Sequence, residues 1–217
     1  MKTLVINATP ATSPQSVSDQ ILAKLREMLP AESEFVDLYK MPDLPALDEQ
    51  GLALIYKQQI GETLSFDEQK IAEKRTALLQ QFKAYKRIVI VYPMFNYNIP
   101  AKLKDYLDNV LVPRETFRYS EDGKLTGLLN DGREVIFIQT SGSIFSGNSE
   151  FAELEFAYFY LDAMFKKLGF EKRHLVRAEG TAVCDKKIVI EKAITEIKWG
   201  LECAFKPVKN DKPLMCD

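Results

Sequence analysis

Short apolar runs alternate with longer segments of helical periodicity along this chain, and that alternation constrains the fold more than any other feature. The run at residues 88–92, Ile-Val-Ile-Val-Tyr, is apolar throughout and rich in β-branched side chains, which is typical of a strand covered on both faces. Further β-rich runs lie at residues 3–6, 34–38, 134–138 and 174–178. Five strands alternating with helices predict an α/β fold with a doubly wound, five-stranded parallel sheet and helices on both faces.

The helical segments are predicted from the spacing of their apolar residues and from a capping signal. Ser65 and Glu68 match a capping box, so a helix is expected from there to about residue 85. Further helices are predicted at residues 17–29, 52–59, 101–110, 149–168 and 190–201, and a β-hairpin at residues 116–119 and 124–129. A chain of 217 residues is expected to form one domain, here residues 1–205, followed by an aperiodic tail at residues 206–217.

Composition argues against several classes of function. The 29 basic and 31 acidic side chains leave a net charge of −2, which argues against a dedicated binder of nucleic acid or of anionic membranes. No apolar run approaches the ~20 residues that a membrane span requires. The N-terminal segment turns polar too soon for a secretory signal, so a cytoplasmic location is expected.

The cysteines and the single histidine limit the chemistry further. The three cysteines form no C-x-x-C pair, and His174 is the only histidine, which excludes a zinc finger or a multi-histidine metal site within one chain. His174 begins a predicted strand, so we expect a structural role for it rather than a place in a Ser-His-Asp triad. The cysteines are expected to be reduced thiols. No catalytic acid or nucleophile is predicted.

Ligands bind doubly wound sheets at the carboxyl ends of the strands, which directs attention to the loops there. The first loop, residues 7–16, has no glycine and so matches neither a G-x-G-x-x-G nor a Walker loop. Its hydroxyl and amide side chains precede a helix N-terminus, where N–H groups and the positive dipole end favour a phosphate monoester. The alternative is that Ser16 only caps the helix, with Asp19 closing the S-x-x-D box.

Two further loops follow the predicted strands at residues 88–92 and 134–138. The second loop, residues 93–100, reads Pro-Met-Phe-Asn-Tyr-Asn-Ile-Pro, and its aromatic faces and amides suit a planar ring with a polar edge. The alternative is a rigid aromatic turn that closes the core. The third loop, residues 139–147, contains small residues that let the backbone approach a flat ligand closely. Its alternative is an ordinary flexible loop.

The chain resembles the flavodoxin-like FMN-dependent NADH azoreductases, which are closely related to NADH:quinone oxidoreductases. The resemblance rests first on the second loop and the helix after it, and then on Thr-Phe-Arg-Tyr at residues 116–119. Gln-Ser-Val-Ser at residues 15–18 is similar to the family's phosphate-binding segment. The resemblance includes these motifs and covers residues 2–182, nearly the whole predicted fold.

The resemblance implies a flavodoxin-like fold with one FMN per protomer, in a homodimer with the flavin near the interface. It further implies ping-pong transfer of electrons from NADH or NADPH to small aromatic acceptors, namely quinones and azo compounds. By position, the FMN phosphate would be held by Ser16, Val17 and Ser18, with Thr9 as a further candidate. The flavin ring would lie between one set of residues in the second loop and another in the third: Met94, Phe95, Asn96 and Tyr97, and Thr140, Ser141, Gly142 and Ser143.

Three positions depart from the family pattern. An S-R-G-G type segment is common where this chain has Thr-Ser-Gly-Ser at residues 140–143, so any contact made by that arginine is missing. Pro10 stands where a hydroxyl residue is common. Lys166 and Lys167 occupy a stretch that is often apolar and lines the substrate cleft, so the substrate preference of the family does not carry over.

The hairpin and the aromatic helix bear on the acceptor pocket and on assembly. Phe117 and Tyr119 are candidates to wall the acceptor pocket, with packing beneath a loop as the alternative. The helix at residues 149–168 and the hairpin carry more large apolar residues than one side of a sheet needs, which favours a dimer whose interface completes the pocket. The alternative is that these aromatic residues fill the core.

Two other classes of function remain open. One is a flavodoxin-like electron carrier that binds FMN without turning over a small acceptor, although such carriers are usually shorter and more acidic. The other is a non-flavin hydrolase or ligand-binding module on the same fold, and the lack of a nucleophile–base pair counts against the hydrolase.

Overall fold

The computed structural model describes residues 1–10, 13, 15–147 and 149–202. The predicted tail at residues 206–217 lies outside the described residues. The division into a domain at residues 1–205 and a tail therefore stays a prediction. No helix within the described ranges is long and apolar enough to cross a membrane.

Five parallel strands form the central sheet, and a separate antiparallel hairpin accompanies it. In chain order the strands are β1 (Thr3–Asn7), β2 (Glu34–Asp37), β3 (Arg87–Pro93), β4 (Phe117–Tyr119), β5 (Leu125–Gly127), β6 (Glu134–Thr140) and β7 (Lys172–Ala178). The sheet order is β2-β1-β3-β6-β7, and β4 pairs with β5. This is the flavodoxin-like order, so the predicted doubly wound parallel sheet and the predicted hairpin are confirmed.

Six α-helices lie among the described residues. They are α1 (Val17–Met28), α2 (Glu49–Ile60), α3 (Phe66–Ala84), α4 (Ala101–Val110), α5 (Phe156–Leu168) and α6 (Lys186–Glu202). The capping box that opens α3 is present in both directions, because Glu68 N donates to Ser65 Oγ and Ser65 N donates to Glu68 Oε2. The local signals therefore identified this helix and its first residue correctly.

The prediction of one helix over residues 149–168 is wrong for its first part. A short 3-10 helix spans Ala152–Leu154, and α5 begins only at Phe156. Glu155 lies between them with non-helical backbone angles (φ −76°, ψ 57°), and its carboxylate accepts from the backbone N–H of Tyr158. A helix cannot run through its own N-cap, so α5 begins after this residue.

The two faces of the sheet are covered by different helices. Ile88, Ile90 and Tyr92 of β3 point into a core that also contains residues of α3, α4 and α5. Val89 and Val91 alternate with them and point into a second core, with residues of α1 and α6. All five of these side chains are buried, which is the pattern expected for a strand covered on both faces.

The lone histidine and one cysteine are both accounted for in the fold. His174 lies buried in β7 with its ring 5.3 Å from that of Trp199, and burial lowers the pKa of its imidazole. This packing fits the structural role expected for it. Cys184 is disulfide-bonded, so the expectation of a reduced thiol is wrong at this position. Sequence spacing could not reveal the bond, because pairing depends on which thiols the fold brings together.

Candidate functional site

The three candidate loops meet at the carboxyl ends of β1, β3 and β6, which are neighbours in the sheet. Backbone hydrogen bonds join them: Ala8 N donates to Val91 O (2.8 Å), and Met94 N donates to Thr140 O (2.8 Å). The chain crosses from one side of β1 to the other at this point, since β2 and β3 flank β1. The site therefore lies at the switch point at which such sheets bind ligands.

The first loop places a buried hydroxyl at this edge. Asn7 Oδ1 accepts from the backbone N–H of Thr9 (3.0 Å), which turns the chain immediately after β1. Thr9 is buried, and its Oγ1 has no hydrogen-bond partner among the described residues. A buried hydroxyl without a partner carries a free-energy cost that a polar ligand would remove. Thr9 was predicted only as a further candidate, and its environment fits a ligand contact.

The start of α1 shows the capping arrangement that formed the alternative for Ser16. Asp19 N donates to Ser16 Oγ (3.1 Å), and the same hydroxyl donates to Asp19 Oδ2 (2.7 Å). Val17 and Ser18 are buried in the first turn. The capping role of Ser16 is thus observed, while a phosphate contact by these residues stays a prediction. The Asp19 carboxylate opposes an anion at this helix end.

Ser18 links the first loop to the third. Its Oγ shares a hydrogen bond of 2.9 Å with Thr140 Oγ1, and both residues are buried. These two positions are 122 residues apart in the chain, and both are in the predicted cofactor-binding set. The fold therefore brings two predicted ligands into direct contact.

The second loop is a tight reversal rather than a plug in the core. Phe95 and Asn98 exchange two backbone hydrogen bonds of 2.9 Å, and Asn96 (φ 48°) and Tyr97 (φ 65°) form the turn between them. Left-handed backbone is unusual for a tyrosine, and such strain is concentrated at ligand sites. The rings of Phe95 (43% exposed) and Tyr97 (42% exposed) are half accessible. Half-exposed rings do not close the core, but they can pack on a flat ligand.

The third loop is braced by the segment that follows β7. Ser141 N donates to Ala178 O (3.2 Å), and Thr181 N donates to Ser141 O (3.1 Å). The Ser141 hydroxyl donates to Ser143 O (2.9 Å), and Ala182 N donates to Gly142 O (3.2 Å). These hydrogen bonds favour a fixed conformation over the alternative of an ordinary flexible loop for residues 140–143.

Beneath the site lies a buried polar chain that the sequence did not suggest. Tyr92, Gln139 and Arg177 are register partners on adjacent strands. The Tyr92 hydroxyl donates to Gln139 Oε1 (2.9 Å), and Gln139 Nε2 donates to Glu155 Oε2 (2.9 Å). Arg177 Nε lies 3.5 Å from the same carboxylate oxygen. Burial raises the pKa of the Tyr92 phenol well above its ordinary value, and the charge of Glu155 adds to the shift.

Within one chain, the hairpin that carries the predicted pocket residues, Phe117 and Tyr119, lies away from the three loops. Their rings pack edge to face at 5.6 Å. The hairpin is attached to the end of α5, where Leu129 N donates to Leu168 O (2.9 Å). That end of α5 precedes β7, so it belongs to the amino-terminal edge of the sheet, opposite the loops. Their role as pocket residues stays a prediction.

The donor set at this edge fits a phosphate monoester joined to a flat ring system. The α1 N-terminus and the buried Thr9 hydroxyl suit the phosphate. The exposed rings of the second loop and the braced backbone of the third suit the ring. Nothing at this edge supplies an obvious general base or nucleophile among the residues that we have described. The arrangement can bind and orient a redox cofactor, which would carry the chemistry itself.

Known proteins match this chain over nearly its full length. A family model described as a flavodoxin-like fold matches residues 1–199. FMN-dependent NADH:quinone oxidoreductase 1 of Bacillus cereus is 41% identical over 204 residues, which span 91% of this chain and 95% of the relative. The protein of the same name in Lactiplantibacillus plantarum is 37% identical over 211 residues, spanning 94% of this chain and 97% of the relative.

A solved structure matches to a similar extent. The crystal structure of an FMN-dependent NADH-azoreductase from Bacillus anthracis, in complex with FMN, superimposes with a TM-score of 0.83 at 41% identity. The match covers 91% of this chain and 95% of that structure. An azoreductase from another strain of Bacillus anthracis matches with a TM-score of 0.79 at 26% identity, covering 92% of this chain and 98% of that structure.

Proposed function

Because the chain belongs to the flavodoxin-like family, we propose that it is an FMN-dependent oxidoreductase that passes electrons from NADH or NADPH to quinones and aromatic azo compounds. The observation that carries this proposal is the meeting of the three loops at one edge of the sheet, beside a buried Thr9 hydroxyl that has no hydrogen-bond partner in the part of the chain that the structure describes. A cofactor that has a phosphate and a flat ring would use both features. FMN, when bound, accepts two electrons from a reduced nicotinamide and passes them to the acceptor.

The residues of this chain would bind and orient the cofactor rather than react. In the proposal, Thr9 and the first turn of α1 (Ser16, Val17 and Ser18) hold the phosphate. The second loop (Met94, Phe95, Asn96 and Tyr97) lies against one side of the ring, and the third (Thr140, Ser141, Gly142 and Ser143) against the other. Hydrogen bonds between the loops hold these segments in place before any ligand arrives, which lowers the entropy lost on binding.

We further propose a ping-pong order, in which the oxidised donor leaves before the acceptor enters, because both are expected to use the same site beside the second loop. The measurement is initial rates of NADH oxidation at several fixed concentrations of menadione. Parallel lines in the double-reciprocal plot are expected. Intersecting lines would contradict a shared site while leaving the oxidoreductase assignment in place.

The absorbance spectrum of the purified protein tests the cofactor. We expect a yellow protein, or a colourless one that quenches the fluorescence of added FMN on titration. A colourless protein that leaves FMN fluorescence unchanged would reject the proposal. NADH consumption with menadione then separates an enzyme from a flavodoxin-like electron carrier, which would bind FMN and show no turnover of the small acceptor.

We also propose that the working unit is a homodimer whose interface completes the acceptor pocket. Phe156 and Phe159 of α5 and Tyr119 of the hairpin are more than half exposed in a single chain. Such exposed aromatic side chains are typical of interface cores. Since Phe117 and Tyr119 lie at the opposite edge from the loops of their own chain, they would wall the pocket of the partner.

Light scattering after size exclusion, together with specific activity over a dilution series, tests the dimer. We expect twice the monomer mass of about 25 kDa, and activity that falls as the protein dissociates. Phe159→Glu should shift the protein toward monomer, whereas Phe66→Glu, at an exposed phenylalanine on α3, should not. A monomeric mass with undiminished activity would reject the shared pocket.

We further propose a cytoplasmic location, because the proposed electron donor, NADH or NADPH, is a metabolite of that compartment. Fractionation of cells that express the chain would test it, with the protein expected in the cytosolic fraction.

A further inference from the structure

Glu179 is a buried acidic side chain for which the proposed reaction has no use. It follows Ala178, the last residue of β7, and only 2% of its surface is exposed. Burying a carboxylate carries a large free-energy cost unless hydrogen bonds replace its hydration. The partners of this carboxylate therefore indicate why it is there.

The hydrogen-bond donors to the Glu179 carboxylate come from the third loop. Phe145 N (2.7 Å) and Ser146 N (3.1 Å) both donate to Glu179 Oε2, and the Ser146 hydroxyl donates to Oε1. These residues are 33 and 34 positions away in the chain, so the contact joins two separate loops. A carboxylate that accepts from successive backbone N–H groups fixes the path of the segment that supplies them.

The residues after Glu179 hold the same loop at an earlier point. Gly180 N donates to Ser143 O (3.2 Å), and Gly180 has φ 76°. A Cβ at Gly180 would lie 3.0 Å from Cys184 Sγ and 3.1 Å from Ile144 Cγ1, so the backbone packs closely against the loop here. The third loop is thus held on both sides of Ile144.

The contact also reaches the second loop. The ring of Phe145 lies 6.3 Å from that of Tyr97 in an edge-to-face arrangement, and Tyr97 is one of the two residues with left-handed backbone in the turn. Fixing Phe145 therefore supports Tyr97. Both proposed walls of the ring site depend on the segment that Glu179 holds.

We propose that Glu179 is a positioning residue: its buried carboxylate holds the third loop, and through Phe145 the second loop, in the conformation that receives the flavin ring. This inference rests on the proposed FMN function. Glu179 acts by hydrogen-bond geometry, so a neutral side chain of the same shape and acceptor position replaces it.

Two substitutions separate geometry from charge. In Glu179→Gln, the amide oxygen can accept from the N–H groups of Phe145 and Ser146, and the amide nitrogen can donate to the Ser146 hydroxyl. In Glu179→Leu, a side chain of similar size accepts nothing and removes the acceptor of those two N–H groups, of which that of Phe145 is buried. Glu134→Leu is the matched control, because Glu134 is a buried carboxylate at the start of β6, at the opposite edge, where it pairs with Arg87.

Two measurements on the full-length protein test the proposal. Amide hydrogen exchange without flavin should show protected N–H groups at Phe145 and Ser146 in the wild type and in Glu179→Gln, and loss of protection in Glu179→Leu. The FMN dissociation constant from fluorescence quenching should stay within threefold for Glu179→Gln. It should rise at least tenfold for Glu179→Leu, which corresponds to about 1.4 kcal/mol. Glu134→Leu should lower stability and leave both readouts at these loops unchanged.

Three outcomes would overturn the proposal: unchanged exchange and FMN affinity in folded Glu179→Leu, an equal loss of affinity in Glu134→Leu, or a loss in Glu179→Gln as large as in Glu179→Leu. If Glu179→Leu does not fold, Ser146→Ala removes one of the three bonds. This variant should exchange its amide hydrogen at position 146 faster and bind FMN about threefold more weakly. If neither quantity changes, the result counts against the proposal. A wild type that fails to bind FMN rejects the proposed function, while the exchange data still decide whether Glu179 holds the loop.

Discussion

Ser16 offers a direct test of whether the α1 N-terminus binds phosphate or is only a capped helix end. Replacing Ser16 with Asp alone does not separate these roles, because Asp19 Oδ2 lies 2.7 Å from the Ser16 hydroxyl and would repel a second carboxylate. The Asp19→Asn background removes that repulsion. Ser16→Asp introduced into Asp19→Asn is therefore the informative change.

The expected effects on folding and on binding differ in size. Asp caps a helix about as well as Ser, whereas Ser16→Ala loses the bond to the Asp19 N–H and about 1 kcal/mol of stability. The double variant should thus unfold at the same urea concentration as Asp19→Asn. A carboxylate about 5 Å from a phosphate, at an effective dielectric constant of about 40, costs about 1.7 kcal/mol per phosphate charge. FMN affinity should therefore fall more than tenfold.

The assay is a fluorescence-quenching titration of flavin-free protein with FMN, and with riboflavin as the matched ligand that lacks the phosphate. Asp19→Asn serves as the reference. The double variant should lose affinity for FMN and bind riboflavin as the reference does. Equal FMN affinity in the double variant and in Asp19→Asn would refute the phosphate contact and leave Ser16 as a cap alone.

Two further predictions concern stability. A hydrogen bond from Lys57, followed by hydrogen bonds from Ser65, lowers the pKa of Glu68 from its ordinary 4.5 to about 2, so its stabilising effect is present above pH 4.5 and is lost as the pH falls toward 2. Urea midpoints over that pH window should therefore fall less steeply for Glu68→Gln than for the wild type, and parallel profiles would contradict this assignment. At Gly127 a Cβ would overlap the carbonyl group of Leu168, so Gly127→Ala should destabilise the protein by about 1–3 kcal/mol. If the Gly127→Ala variant instead unfolds at the same temperature as the wild type, the hairpin does not pack against α5 as described.

Local sequence signals were sufficient for most of the sheet and for the position of the site. The apolar run at residues 88–92 predicted a central strand because a strand covered on both faces cannot alternate with polar residues. Right-handed crossovers predicted a parallel, doubly wound sheet, and in the observed strand order β1, β3 and β6 are neighbours, so the loops after them lie together. Ser65 and Glu68 identified the start of α3 for a similarly local reason.

Contacts between distant parts of the chain account for what the sequence did not reveal. The predicted helix begins late, at Phe156, because Glu155 accepts from Gln139, sixteen positions away, and caps α5. Glu179 reads as an ordinary polar residue after a strand, and only the fold places it under the N–H groups of Phe145 and Ser146. Residue spacing carries no signal for such pairs, because they depend on which strands become neighbours.

In the aromatic segment at residues 149–168, composition alone could not predict which rings are buried and which are exposed. Its aromatic residues favoured a dimer interface, with core filling as the alternative, and the structure buries some of them and leaves others exposed. Phe165 is fully buried and packs edge to face on Phe137 at 5.3 Å, as core filling requires. Phe156 and Phe159 lie on the opposite side of the helix, 53% and 62% exposed. Phe or Tyr stands at four of the five positions 156–160, so periodicity could not distinguish the two sides. Within this segment the dimer proposal therefore rests on these two exposed rings, beside Tyr119 of the hairpin, and not on the aromatic content of the whole segment.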